Sequence, residues 1–219
     1  MNTAETISMI KAISDAATRR KEELCRLDSY VGDGDHGFTV ERGFSAVKNV
    51  MDESEFQSPK EALETAGEEL ADTMGGAIGL IIGGFFTGGA EALEDKDEFE
   101  VQELYVLLSR GLEEIKLVGG AKEGDRTLID ALSPACDAYK SAMDDGKTFG
   151  ECISIAASAA EAGAKATADM VAKQGRAKFL QNKSKGYIDA GAVTMSIIIE
   201  AMRDYINGLG RYCDEEVLK

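Results

Sequence analysis

The sequence predicts an all-α fold, an antiparallel bundle of about eight helices forming one domain over residues 1–219. Three observations predict it. Apolar residues recur at helical spacing in one segment after another, and no pair of runs alternates at the strand period of two. Capping signatures punctuate the chain: Asn2 with Glu5, Ser58 with Glu61, and Thr148 with Glu151. Only two prolines occur in 219 residues, and the gaps between periodic segments are short enough to join antiparallel neighbours.

Taken in order, Asn2 opens a first helix on which Ile7, Ile10, Ile13, Ala17 and Leu24 keep helical spacing to about Leu27. From about Thr39, the residues Val40, Phe44, Val47 and Met51 mark a second. Ser58, with Pro59 behind it, starts a third that runs to Met74. The stretch MGGAIGLIIGGFFTGGAEAL is apolar and glycine-rich, which suits a central helix whose glycines let neighbouring backbones or a ligand come close. Beyond the acidic loop EDKDEFE, Val101, Leu104, Leu108, Leu112 and Ile115 mark a fifth helix, ending at VGGAKEGDRT. Thr127 onward forms a sixth through Tyr139, and Thr148 caps an alanine-rich seventh to about Ala172. The polar stretch KQGRAKFLQNKSKGYIDAGA reads as a loop and VTMSIIIEAMRDYI as the last helix. In such a bundle alternate loops lie at one end and can converge on one site.

The composition, 44% hydrophobic and 29% charged, is that of a globular protein with a sizeable core. Forty acidic against twenty-four basic residues leave a formal charge of −16, which argues against nucleic acid or an anionic membrane as partner. A phosphate ligand therefore needs a local counter-charge. Cys25, Cys136, Cys152 and Cys213 are widely spaced and read as reduced thiols rather than a zinc site. The N-terminus lacks the basic start and apolar run of a signal peptide, and no stretch reaches the ~18 apolar residues of a membrane span, so a cytoplasmic location is expected.

The chemistry concentrates in DSYVGDGDHGF, Asp28 to Phe38. Gly32, Gly34 and Gly37 match the spacing of a dinucleotide-binding turn, but a helix precedes them where a strand is required, and Asp33 and Asp35 would repel a pyrophosphate. A calcium loop also fails. Counted from Asp33 it places Phe44 at the bidentate glutamate, and counted from Asp28 it places Asp33 at the obligatory glycine. What fits is a hard-cation site, in which glycines let the turn fold back so that three carboxylates converge on magnesium and leave positions for a polyphosphate. Helix and turn capping by the same aspartates is the alternative. No Walker loop is present, so a nucleotide would be held through metal, helix N-termini and loop backbone. TMGGAIG could supply N–H groups at a helix start and GGAKEGDRT could pack against a planar base, although either reads equally as an interhelical turn. Arg176 and Lys178 lie in the one basic loop and could meet phosphate or solvent. His36, the only histidine, suits a general base, a metal ligand or a structural hydrogen bonder.

In order and spacing, LDSYVGDGDHGFTVERGF, MGGAIGLIIGGFF, GGAKEGDRTLIDAL and GYIDAGAVTMSIIIEAM resemble the DhaL family, the nucleotide-binding subunit or domain of dihydroxyacetone (glycerone) kinases, over about residues 3–207. The resemblance implies a barrel-like bundle of eight antiparallel helices holding ADP or ATP at one end through two magnesium ions. It implies Asp28, Asp33 and Asp35 as magnesium ligands, with His36, Gly37, Phe38 and Thr39 lining the nucleotide. It further implies Gly76, Ala77 and Ile78 at the phosphates, Gly120 and Leu128 beside adenine, and Arg176 with Asp189, Ala190 and Gly191 closing the remaining side. The chain departs from the family where Thr39 replaces Asn, where Ala77 and Ile78 replace hydroxyl residues, and where GYIDAGA replaces GHxDPGA.

Within that family the sugar is held covalently by a histidine on a separate DhaK-type subunit, so this chain is expected to carry the phosphoryl group and a partner the short ketose or polyol. A stand-alone L chain leans toward rephosphorylation by a phosphocarrier of the phosphoenolpyruvate-dependent phosphotransferase system, with exchangeable ATP as the other mode. A homodimer is compatible with the sequence. Two other classes remain open at this point: a degenerate nucleotide-binding regulatory module without kinase activity, and a purely structural bundle.

Overall fold

In a computed structural model the backbone is described for residues 1–216 and the side chains for residues 1–209. Nine α-helices follow one another: α1 (Thr3–Arg19), α2 (Lys21–Ser29), α3 (His36–Glu53), α4 (Pro59–Met74), α5 (Gly76–Glu91), α6 (Val101–Gly119), α7 (Ile129–Asp144), α8 (Phe149–Ala166) and α9 (Ala190–Glu216). Two 3-10 segments, Thr167–Asp169 and Arg176–Ser184, lie between α8 and α9, and no strand occurs among the described residues. The all-α antiparallel bundle is as expected. Cys213 lies outside the residues with described side chains.

Eight of the helices close a ring. Each of α3 to α8 packs on the next in the chain, and α1 completes the circle by packing on both α3 and α9. α2 is a short spur against α3 and α9. Inside the ring Phe44, Leu63, Leu70, Phe85, Leu104, Leu108 and Ile198 belong to one continuous apolar cluster. The glycines of α5 allow the close approach expected of them: a Cβ on Gly83 would lie 2.5 Å from the carbonyl oxygen of Gly67 on α4, and one on Gly89 would lie 2.5 Å from that of Leu107 on α6.

Several boundaries differ from the sequence-based expectation. The first helix does not run unbroken to Leu27, because Arg20 leaves helical geometry at φ −92°, ψ 9° and the chain restarts as α2. This turn lets Leu24 bury against the body while the Arg20 guanidinium bonds Glu23 (Nη2 to Oε1 3.0 Å) and approaches Glu200 of α9 at 3.7 Å. α2 is thus a ninth α-helix among the described residues, beside the eight that form the expected bundle. α7 starts at Ile129, not Thr127, since the Asp130 carboxylate accepts the Thr127 N–H at 2.7 Å. α8 ends at Ala166 rather than Ala172, where the Thr167 hydroxyl donates to the Ala164 carbonyl and its oxygen accepts the Asp189 N–H. The polar stretch read as a loop contains the 3-10 segment, kinked at Gln181, and α9 begins at Ala190 with Asp189 accepting the Ala192 N–H at 2.9 Å.

Candidate functional site

Four connections meet at one end of the ring: residues 30–35, the α4–α5 junction at Gly75, residues 120–128, and residues 167–189. Between them opens a cavity of about 700 Å³. One part of its wall is polar, made by the α2–α3 turn, the start of α5 and Arg176. Another is apolar, made by Leu80, Ile81, Ile115, Val118, Ala121 and Leu128.

The polar part is built by the α2–α3 turn. Asp28, on the last turn of α2, accepts the Gly34 N–H on its carboxylate at 2.8 Å, and its carbonyl accepts the N–H groups of Val31 and Gly32. A Cβ on Gly32 would overlap the Asp28 carboxylate, and Gly34 sits at φ +77°, so both glycines are required for the turn to fold back. One oxygen each from Asp28, Asp33 and Asp35 then lie within 4.8 Å of one another. Arg176 pairs with Asp33 and, at 3.4 Å, with Asp35. Burial raises the Asp33 carboxyl, but hydrogen bonds from the turn and the Arg176 charge outweigh it and hold that group below the usual range. An all-oxygen, anionic cluster with one side open to the cavity has the donor chemistry a hard divalent cation takes.

Asp28, Asp35, His36, Thr39, Gly76, Ala77, Ile78, Leu128, Arg176, Asp189, Ala190 and Gly191 all line the cavity. Asp33 joins the carboxylate cluster without lining the cavity wall. Gly37, Phe38 and Gly120 do not line it. Gly37 is instead a packing residue, because a Cβ there would overlap the Lys21 carbonyl oxygen of α2. Phe38 is exposed beneath the Lys21 ammonium, 5.1 Å from its ring centroid. Gly120 ends α6 in the left-handed region at φ 63°. Lys178 lies over the neighbouring Phe179 ring at 5.2 Å. Gly37→Ala is expected to push α3 off α2, lowering the melting temperature by about 5–10 °C and loosening the Asp28 turn, as a thermal melt with and without magnesium measures.

His36 is tied rather than free. Its Nε2 lies 2.8 Å from the Thr194 hydroxyl, which donates to the Ala190 carbonyl at 3.0 Å, so the imidazole donates from Nε2 and pins α3 to α9. Burial pushes its pKa down and favours the neutral ring, against the opposing charges of Asp28 and Asp35. Burial likewise pushes the Cys136 thiol up to about 12, which leaves it inert.

Three features escaped the sequence. Arg42 on α3 caps the end of α4 by donating to the Thr73 carbonyl at 2.8 Å and to that of Met74, and it lines the cavity beside Gly75. Tyr30 stacks on Tyr187 with ring centroids 5.1 Å apart, joining the carboxylate turn to the turn before α9. Arg126 lines the cavity fully buried, at φ +62°, a conformation that costs a non-glycine residue ~1–2 kcal/mol. No motif singles out Arg42, and nothing in GGAKEGDRT distinguishes Arg126 from an exposed turn residue.

The family model of the DAK2 domain matches residues 30–204. Over 92% of its length the chain is 27% identical to the ADP-binding subunit DhaL of the PEP-dependent dihydroxyacetone kinase of Escherichia coli, and it covers 96% of that protein. It is 30% identical to the L-erythrulose 1-kinase of Mycolicibacterium smegmatis over 91% of its length but spans only 35% of that enzyme. Among solved structures, the dihydroxyacetone kinase of C. freundii in complex with AMP-PNP and Mg2+ superposes with a TM-score of 0.71 at 27% identity, over 93% of this chain and 34% of that one.

Proposed function

Because the chain belongs to the DAK2 domain family, that of the DhaL subunits, we propose that it is the magnesium-nucleotide subunit of a kinase for dihydroxyacetone or a related short ketose. The observation that carries this reading is the convergence of Asp28, Asp33 and Asp35 at the mouth of a cavity large enough for a nucleotide. On this reading the three carboxylates hold the magnesium, two ions in full occupancy. Bound there, magnesium neutralises the phosphate charge that develops during transfer. Gly76, Ala77 and Ile78 present backbone N–H groups at the start of α5, where the helix dipole favours an anion. Arg176 faces the same space and can turn its guanidinium from the carboxylates to a phosphate. The base occupies the apolar part of the cavity, against Leu128 and the end of α6.

The acceptor belongs outside these 219 residues. His36 is their sole histidine and is engaged by Thr194, so no imidazole among them is free to capture a ketose, and a DhaK-type partner subunit or domain supplies that group. The likeness to the Escherichia coli subunit, which the chain covers almost entirely, favours a phosphocarrier of the phosphotransferase system as donor, with ADP retained as a coenzyme. Mass spectrometry of the native protein tests this reading: co-purifying ADP that survives gel filtration and turns over only with a phosphohistidine donor is the expected result. ATP that exchanges freely at micromolar affinity would replace the donor assignment, and no magnesium-dependent nucleotide binding at all would remove the function.

One observation favours a second reading. Ile78 presents an alkyl side chain to the cavity where a hydroxyl could bond phosphate, so a nucleotide-sensing module without transfer is the competing function. It predicts MgADP binding with no turnover in the presence of any DhaK-type subunit and donor.

A further inference from the structure

Arg126 is the largest fully buried side chain among the described residues. It donates twice to one carbonyl oxygen, that of Tyr187, from Nη2 at 2.9 Å and Nε at 3.3 Å, and its Nη1 lies 3.4 Å from the Asp189 carboxylate. Burial pushes that carboxyl up to about 6 while the guanidinium opposes the shift. Its own backbone is left-handed, a geometry glycine adopts without strain. A residue serving only the turn would be glycine, as it is at Gly120 and Gly124 nearby, so the guanidinium is what this position retains.

The two segments it joins form adjoining cavity walls. On one side, Thr127 and Leu128 follow it into the apolar wall, and Asp130 fixes that loop by accepting the Gly124 and Thr127 N–H groups. On the other, Asp189 precedes α9, which Ala190 and Gly191 begin, and all three line the cavity. We propose that Arg126 is a positioning residue that clamps the α6–α7 loop to the turn before α9 and so sets the base-side wall of the pocket. The inference rests on the nucleotide reading above. A clamped wall discriminates among bases by fixed shape and fixed backbone groups, whereas a loose one adapts to each.

Calorimetric titration of ADP and GDP with magnesium into wild type, Arg126→Gly, Arg126→Gln and Arg126→Lys tests it. Arg126→Gly, unstrained at this φ, is expected to fold, to bind ADP about 10–30-fold more weakly, and to lose most of the preference for ADP over GDP. Arg126→Lys is expected to recover part of both, since it restores a donor without the fork. A lower melting temperature with unchanged affinity and base preference in the folded protein overturns the proposal, whereas wild type that binds no MgADP overturns the nucleotide reading itself. Hydrogen exchange on wild type needs no variant: residues 121–128 and 188–191 are expected to gain protection together when MgADP is added, and protection of one segment alone overturns the clamp.

Discussion

Asp33→Ala is expected to abolish magnesium-dependent nucleotide binding, weakening it by at least about 100-fold and reducing phosphoryl transfer by about 1,000-fold, because a metal centre supplies several kcal/mol of charge stabilisation. The fold should be untouched. Asp33 is exposed on the turn, where it meets Arg176 and groups of that turn, so its removal takes nothing from the core. A thermal melt with and without MgADP separates the two effects: the unliganded midpoint stays within about 2 °C of wild type, while the shift on adding MgADP disappears. A persisting MgADP shift would mean that the carboxylate cluster does not hold the metal.

Arg176→Ala is expected to split binding from turnover. On the proposed function the Arg176 guanidinium stabilises the transferring phosphate, so its loss is expected to lower the rate by about 100–1,000-fold, and nucleotide affinity should fall by about tenfold or less. The structure adds a signature of its own. Arg176 is the cation that sits against Asp33 and Asp35, so deleting it leaves those carboxylates less compensated and should tighten the site for manganese alone, measured by paramagnetic relaxation without nucleotide. Arg176→Lys should restore the charge but only part of the rate, lacking the planar fork. Equal turnover in Arg176→Ala and wild type would exclude the role.

How much of this was legible beforehand follows from where the information lies along the chain. Asp28, Asp33 and Asp35 fall within eight residues, with glycines that have one evident use, so local chemistry sufficed to bring them together. The helices were legible because their apolar stripes and caps are local too. Arg20 was not, since the break there is decided by what α2 packs against, namely α3 and α9. Gly37 belongs in sequence to a ligand-facing motif, but the Lys21 carbonyl that forbids its side chain becomes a neighbour only once α2 has turned. Arg126 depends on a backbone angle and on partners at Tyr187 and Asp189, more than sixty residues away, which no periodicity records.

The ring of helices also bears on how the protein reaches its native state. Most of its seams join consecutive helices and can form early, because their loop-closure entropy is small. The seam between α1 and α9 is different: it joins the first helix to the last and must await nearly the whole chain. α9 also brings Ala190, Gly191 and the Thr194 hydroxyl that seats His36, so the cavity at that end of the ring is unfinished until the seam shuts. An unclosed, partly folded chain therefore has no competent pocket, and on the proposed function nucleotide acts as a latch that draws the population toward the shut ring.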